Sequence, residues 1–251
     1  MNPLAEGRHR NIEVMKIWLA AALALTVAGC APRADPRNPA RAQSAAAVPA
    51  PPAGAAASPA PAGRPRIAVL GDSLTAGLGV DKAASYPSLL QRRLDAAGLD
   101  FEVVNAGVSG DTSAGGLARL DWAIDGDVRV LIVALGGNDG LRGLPADELQ
   151  HNLAQIIERG QARDITVILA GMEAPTNYGR DYIVSFHRVY PALAATYHVA
   201  LVPFLLQGVA GDETLNQRDG IHPTAAGARI VADNVWAVLR PVAEARRRPT
   251  T

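Results

Sequence analysis

Ser73 is the side chain whose position in the sequence first suggests a reaction. It lies in the segment GDSLT, directly after a short apolar run, where the chain must turn sharply and expose the hydroxyl near free backbone amides. A serine hydroxyl is a weak nucleophile unless a neighbouring base takes its proton. Taken alone, a serine after a strand more commonly caps a turn or a helix, so the interpretation depends on finding such a base.

His222 is the best candidate for that base. It follows Asp219 by three residues in the turn DGIHP, so the Asp219 carboxylate can hold one ring nitrogen and leave the other for Ser73. The remaining histidines lie near the N-terminus or in predicted helices: His9, His151, His187 and His198. Asp219 alone could equally cap a helix. The pairing with Ser73 favours a nucleophile, a base and an orienting carboxylate.

Two further segments could supply hydrogen-bond donors to an oxyanion. Gly110, in SGDT, can offer an unhindered backbone amide, and Asn138, in GGND, can offer its side-chain amide. The backbone amide of Ser73 is the third candidate donor. Each has an ordinary alternative, a turn glycine for Gly110 and an Asx turn for Asn138. Together the three predict an oxyanion hole, which the hydrolysis of an ester requires.

The elements that must position these residues alternate between strands and helices. The predicted strands are Arg66–Leu70, Phe101–Asn105, Val128–Leu135, Ile165–Ala170 and Ala200–Val202. The predicted helices are Tyr86–Ala97, Thr112–Ile124, Pro145–Arg159, Arg180–His198, with a bend at Pro191, and Pro223–Leu239. This alternation predicts an α/β fold, a three-layer α/β/α sandwich with a mainly parallel five-stranded sheet. Ligands bind beyond the carboxyl ends of such strands, where GDSLT, SGDT and GGND fall.

The N-terminal 64 residues differ in composition from the rest. Residues 1–30 resemble a bacterial export signal: an apolar run of about 13 residues, Ile17–Gly29, follows Lys16 and leads to VAGC, which is similar to a lipobox ending at Cys30. We expect Cys30 to be lipidated and to anchor an exported, periplasmic protein to a membrane. A buried helix with an inert cysteine is the alternative, and Met15 is an alternative start. Residues 31–64 predict an alanine- and proline-rich tether, and residues 65–245 the folded domain.

Composition excludes several classes of function. Twenty-four basic residues balance twenty-four acidic ones, so we expect no nucleic-acid partner. The single cysteine allows no intramolecular disulfide. The sequence has neither a metal-ligand cluster nor a phosphate-binding GxxxxGK[ST] segment, so we expect no metal and no cofactor. It indicates nothing about the oligomeric state.

The four segments, in this order along the chain, resemble the conserved blocks of the SGNH hydrolases, most of all the branch of thioesterases, lysophospholipases and arylesterases. The resemblance covers about Arg66 to Leu239. It implies a flavodoxin-like sheet, an acyl-enzyme mechanism on carboxylic esters or thioesters, and a mobile loop at 140–145 in which Gly140 and Leu141 contact the substrate. Leu144, Ile183 and Phe204 could line an acyl pocket or belong to the core. The alternatives are a carbohydrate O-deacetylase and a catalytically silent binding module.

Overall fold

The structure, a computed structural model, describes residues 63–247. The predicted export signal, the predicted lipidation site at Cys30 and nearly all of the predicted tether lie outside these residues. Within them, none of the helices combines the length and the apolar character that crossing a membrane requires.

A five-stranded parallel sheet forms the centre of the domain, as the alternating pattern predicts. Its strands are β1 (Arg66–Gly71), β2 (Glu102–Gly107), β3 (Val128–Ala134), β4 (Thr166–Ala170) and β5 (Ala200–Val202). Their order across the sheet is β2-β1-β3-β4-β5, and every neighbouring pair is parallel. This is the flavodoxin-like order. After β1 the chain adds β2 on one side of the sheet, and it then crosses over to add β3, β4 and β5 on the other side. A crevice therefore opens beyond the carboxyl ends of β1 and β3.

The helices cover both faces of the sheet and complete the predicted three layers. Their bounds are α1 (Ser73–Ala76), α2 (Tyr86–Ala96), α3 (Ser113–Ala118), α4 (Leu120–Ala123), α5 (Gly137–Leu141), α6 (Ala146–Gln161), α7 (Arg180–Tyr197) and α8 (Ala225–Arg246), with 3-10 helices at Lys82–Ala84 and Thr176–Tyr178. Helix α2 packs against α8, whereas α6 packs against both α3 and α7. These two groups form the outer layers.

The apolar runs of the sequence become the centre of the core. Strands β1 and β3 have neighbours on both sides and helices on both faces, so their side chains are almost entirely buried, as a continuous apolar run predicts. Strand β2 lies at the edge and is more exposed. The backbone amide of Val103 on this edge donates to Gln91 Oε1 at 2.7 Å. The Gln91 side chain of α2 thus accepts a hydrogen bond from an edge amide that a further strand could otherwise pair with.

Two predicted helices differ from the structure by a division or by more than two residues at one end. The predicted helix over Thr112–Ile124 is divided into two short helices that meet at Arg119. The side chain of Arg119 points back to the ends of β1 and β2, where it donates to backbone carbonyl oxygens. Helix α8 continues seven residues past Leu239, through Pro241, because Val235, Leu239 and Ala243 extend one buried stripe at helical spacing. Helix α7 likewise continues through Pro191. The short helices α1 and α5 were not predicted, since neither is long enough to show a hydrophobic period.

Candidate active site

The turn after β1 holds Ser73 at the first position of α1. The carboxylate of Asp72 caps this helix by accepting a hydrogen bond from the Leu74 amide at 3.0 Å. Gly71 precedes it, and a Cβ there would lie 2.9 Å from the carbonyl oxygen of Ala134 and would collide with Thr75. Only glycine therefore allows the chain to turn this close to β3. Ser73 itself is 9% exposed, with its hydroxyl at the carboxyl edge of the sheet.

His222 lies next to this hydroxyl although 149 residues separate the two in the chain. Ser73 Oγ is 2.8 Å from His222 Nε2, and His222 Nδ1 is 2.7 Å from Asp219 Oδ2. The three side chains predicted from GDSLT and DGIHP are thus brought into one hydrogen-bonded row. A ring nitrogen that shares its proton with a carboxylate leaves the other nitrogen able to accept the hydroxyl proton.

The turn that carries His222 is fixed mainly by backbone hydrogen bonds. Asp219 Oδ1 accepts from the amides of Ile221 at 2.9 Å and His222 at 3.0 Å. The backbone amide of His222, followed by that of Ile221 and then by the imidazole, lowers the pKa of Asp219 to about 2. The carboxylate therefore stays ionised beside the imidazole. Gln217 connects this turn to the segment after α1 by donating to the carbonyl oxygen of Leu78 at 2.7 Å.

The two predicted oxyanion donors line the same cavity as Ser73. Gly110 has φ = +86°, a left-handed conformation that glycine adopts without strain. Asn138 belongs to α5, which begins directly after β3. Its Nδ2 donates to the Asp111 carbonyl oxygen at 3.0 Å and to Asp72 Oδ2 at 3.2 Å. Both hydrogens of the amide are therefore directed by neighbouring acceptors, which fixes the plane of the side chain.

Asp72 has an unusual electrostatic position, which sequence reasoning did not identify. The residue is 3% exposed, and its burial raises the pKa of the carboxyl from 3.8 to about 6. The hydrogen bonds from the Leu74 amide and Asn138 oppose that rise, as does the charge of His222. The sequence does offer one signal for Asp72, which is its place directly before Ser73 in GDSLT. A residue next to the nucleophile at the end of a strand lies at the same carboxyl edge of the sheet.

Arg119 holds the loop that carries Gly110. Its guanidinium donates to Asp111 Oδ2 at 2.5 Å and to the carbonyl oxygens of Ala106 and Gly71 at 2.7 Å and 2.8 Å. A single side chain thus joins the ends of β1 and β2 to the SGDT segment. Nothing in the sequence near Arg119 indicates this role, since its partners lie on three separate segments.

A second connection holds α5. Asp139 is buried and accepts from the amide and the hydroxyl of Ser113, at 2.8 Å and 2.6 Å, so that α5 is joined to the start of α3. From the loop after α5, Arg142 donates to the carbonyl oxygen of Gly110 at 2.8 Å. These bonds fix Asn138 and Gly110 relative to each other.

An open cavity of about 790 Å³ lies beside the Ser73 hydroxyl. Its wall contains Ser73, Gly110, Asn138 and His222 together with many apolar side chains, among which are Leu74, Leu78, Leu141, Met172, Phe204 and Leu206. Leu141 lines the cavity, and its carbonyl oxygen accepts from Tyr178 Oη at 2.8 Å. Gly140 does not reach the wall: it is buried, and a Cβ there would lie 3.3 Å from the ring of Phe186.

The other two candidates for the acyl pocket stay outside this wall. Leu144 and Ile183 do not line the cavity, and the Leu144 carbonyl instead accepts a bond from Tyr182 Oη at 2.8 Å. Within residues 63–247, no group of three or more histidine, cysteine, aspartate or glutamate side chains is placed to hold a metal ion.

The sequence profile of the GDSL-like lipase/acylhydrolase family matches residues 69–230. The chain belongs to this family and is an enzyme that hydrolyses ester bonds. It is 48% identical over 177 residues to esterase TesA of Pseudomonas aeruginosa, an alignment that covers 70% of this chain and 88% of that protein. It is 38% identical over 177 residues to thioesterase 1/protease 1/lysophospholipase L1 of Escherichia coli, covering 70% and 84%. It is 37% identical over 171 residues to an arylesterase of Vibrio mimicus, covering 68% and 86%.

Solved structures of esterases share the fold. A crystal structure of TesA superposes with a TM-score of 0.68 at 47% identity, covering 70% of this chain and 99% of that one. The psychrotrophic esterase EstA from a Pseudoalteromonas species, inhibited by monoethylphosphonate, gives 0.67 at 31% identity, covering 70% and 97%. The SGNH-hydrolase family esterase AlinE4 gives 0.60 at 44% identity, covering 74% and 98%.

Proposed function

We propose that Ser73 is the nucleophile of this ester hydrolase, that His222 is its general base and then its general acid, and that Asp219 orients the imidazole. The observation that carries the proposal is the row of two hydrogen bonds, 2.8 Å from Ser73 Oγ to His222 Nε2 and 2.7 Å from His222 Nδ1 to Asp219 Oδ2, beside a cavity. The ionised Asp219 stabilises the imidazolium that forms when the Ser73 proton is transferred.

The reaction proceeds in two halves. Ser73 Oγ attacks the carbonyl carbon while its proton passes to His222 Nε2, and the carbonyl oxygen becomes an oxyanion. The amides of Gly110 and Ser73 hold this oxyanion, together with the Asn138 Nδ2 hydrogen that makes the longer bond, 3.2 Å, to Asp72 Oδ2 in the free enzyme and leaves it for the oxyanion. The bond to the leaving group then breaks, and the alcohol or thiol takes the proton from His222. In the second half a water molecule gives its proton to His222 and attacks the acyl carbon. The acid is released and Ser73 recovers its proton.

The substrates we propose are aryl esters, short- to medium-chain esters and thioesters, including acyl-CoA and lysophospholipids. The many apolar side chains of the cavity wall suit an acyl or aryl group. Gly140 and Leu141 are the predicted substrate contacts. The position of Leu141 in the cavity wall supports a contact with the substrate. The names of the relatives, which include esterase, thioesterase, lysophospholipase and arylesterase, are consistent with this range.

We also propose that residues 1–30 direct export, that Cys30 is lipidated on the periplasmic side of a membrane, and that residues 31–64 tether the domain at 65–245. The support is the apolar run before VAGC and the composition of the tether. Labelling bacteria that produce the full chain with a radioactive fatty acid tests this. Incorporation that disappears in Cys30→Ala supports the proposal, and equal labelling of both chains contradicts it.

The test of the mechanism is covalent labelling together with turnover. A phosphonate that reacts with activated serines should add to Ser73, identified by mass spectrometry, and Ser73→Ala should lower kcat on p-nitrophenyl esters and acyl-thioesters of increasing chain length by at least about 10⁴-fold. Ser185→Ala is the matched control, because the Ser185 hydroxyl bonds only the Tyr182 carbonyl of its own helix in the part of the chain that the structure describes. Labelling at another serine, or substantial activity of Ser73→Ala, would contradict the proposal. Turnover confined to acetylated sugars would favour the deacetylase.

A further inference from the structure

The wall of the active-site cavity has an uneven distribution of charge. No lysine or arginine lines it among residues 63–247, whereas two acidic residues do, Asp72 and Glu173. A third carboxylate, that of Asp219, lies directly behind His222. A substrate in this cavity therefore meets negative charge and apolar surface, and no opposing cation in the wall.

Glu173 differs from the other two acidic residues in that it holds no catalytic side chain. Asp72 is buried and holds Asn138, and Asp219 holds His222. Glu173 follows β4 in the loop that closes one side of the cavity, and its side chain is 37% exposed. Its Oε1 is 2.7 Å from Nδ1 of His187, an exposed residue of α7, and this bond fixes the position of the carboxylate.

Arg142 is the cation associated with the oxyanion loop, and it lies on the side of the cavity that carries Gly110. Its guanidinium donates to the carbonyl oxygen of Gly110, and the residue is not part of the wall. Glu173 therefore contributes a charge to the cavity that no catalytic contact uses.

We propose that Glu173 determines specificity for the charge of the leaving group: the enzyme favours neutral and cationic alcohols or thiols and disfavours anionic ones. Acyl-CoA, whose leaving thiol is anionic, is then the least favoured of the substrates proposed above. This inference rests on the proposed function of the same site. Two unit charges a few ångströms apart at a solvated surface interact by about 1 kcal/mol or more, which corresponds to roughly a fivefold change for each sign of substrate charge. Screening by salt reduces the effect, because the Debye length is only about 10 Å at 0.1 M.

The experiment compares three thioesters that share one acyl group and have leaving groups of similar size. Butyrylthiocholine carries a cation, S-butyryl-N-acetylcysteamine is neutral, and S-butyryl-3-mercaptopropionate carries a carboxylate. All three release a thiol that one reagent detects. The purified full chain is assayed at about pH 8, at low and high salt.

The variants are Glu173→Gln and Glu173→Lys, with Glu244→Gln as the matched control. Glu244 lies near the C-terminal end of α8, whose N-terminal end follows His222, and it pairs with Arg240 on the surface. We expect the ratio of kcat/KM for the cationic over the anionic thioester to fall at least about fivefold in Glu173→Gln and further in Glu173→Lys. The control should keep the ratio of the natural protein, and high salt should reduce every difference.

The readouts separate the two proposals. The neutral thioester tests the function itself, because its turnover requires the nucleophile and no leaving-group charge. If the natural protein hydrolyses it, but the cation-to-anion ratio stays unchanged in Glu173→Lys, the inference about Glu173 is overturned. If the neutral thioester and neutral esters are not hydrolysed at all, the proposed function is wrong, and this result is distinct from a failure of the inference about Glu173. A preference that is reversed in Glu173→Lys and kept in Glu244→Gln supports the inference.

Discussion

Replacing Asp72 by asparagine should change how the stability of the protein depends on pH. Folding buries this carboxyl and raises its pKa from 3.8 to about 6. Between these values the folded protein holds a proton that the unfolded chain has lost. The ionised carboxylate therefore costs stability that grows as the pH rises from about 4 to about 6 and then stays constant.

The size of the effect follows from the two pKa values. The difference between 3.8 and about 6 corresponds to roughly 3 kcal/mol, at about 1.4 kcal/mol for each tenfold change in acidity. About half of this loss of stability develops between pH 5 and pH 8, a range in which unfolding is easily measured. Relative to the natural protein, Asp72→Asn should gain about 1.5 kcal/mol in its free energy of unfolding over that range.

Urea unfolding followed by tryptophan fluorescence, at several pH values, measures this difference. Contributions of all other groups that titrate equally in the two proteins cancel in the subtraction. Asp125→Asn, at an exposed aspartate, is the control for the loss of one negative charge. A stability difference that is flat with pH, or that favours the natural protein increasingly as the pH rises, would refute the reasoning that burial dominates the state of Asp72.

The same variant should lose activity while it gains relative stability. The amide of an asparagine at 72 would present a donor toward Asn138 Nδ2, where the carboxylate now accepts at 3.2 Å. The Asn138 side chain would then lose one of the two acceptors that fix its plane. We expect kcat on a p-nitrophenyl ester to fall by about tenfold with a smaller change in KM, since the oxyanion forms only during the reaction.

Three other substitutions test separate parts of the site. In Gly110→Ala the new Cβ would lie at an ordinary contact distance, 3.9 Å, from Arg142 Nη2, but the residue would have to adopt φ = +86°. The substitution should therefore cost about 1 kcal/mol in urea unfolding and lower kcat more than it raises KM. Asp219→Asn should lower kcat by about 10³-fold at about pH 8, where the Asp219 carboxylate, with its pKa lowered to about 2, is ionised; a loss of less than about tenfold would contradict this. Arg119→Gln should cost about 2 kcal/mol of unfolding free energy, whereas Arg240→Gln, at an exposed pair, should cost under about 0.5 kcal/mol; equal losses would show that Arg119 does not hold the strand ends.

The sequence alone determined the fold and the candidate residues of the site, because both depend on local patterns. Apolar runs such as Val128–Leu135 are buried on both faces in the central strands, and the alternation with helices predicts a parallel sheet. The carboxyl ends of parallel strands meet at one edge, so Ser73, Gly110 and Asn138 were expected together. The four short segments GDSLT, SGDT, GGND and DGIHP occur in the order found in the SGNH hydrolases, and this resemblance placed His222 at the same site.

Only the tertiary structure decided the contacts made by residues from separate segments. The charge on Asp72 depends on its burial between α1 and α5, and the role of Arg119 depends on carbonyl groups at the ends of two strands. Neither burial nor backbone direction at a distant strand end is encoded in a local pattern. The same holds for the cavity wall: Leu141 and Phe204 reach it and Leu144 and Ile183 do not, because all four are apolar and only packing separates a pocket from a core.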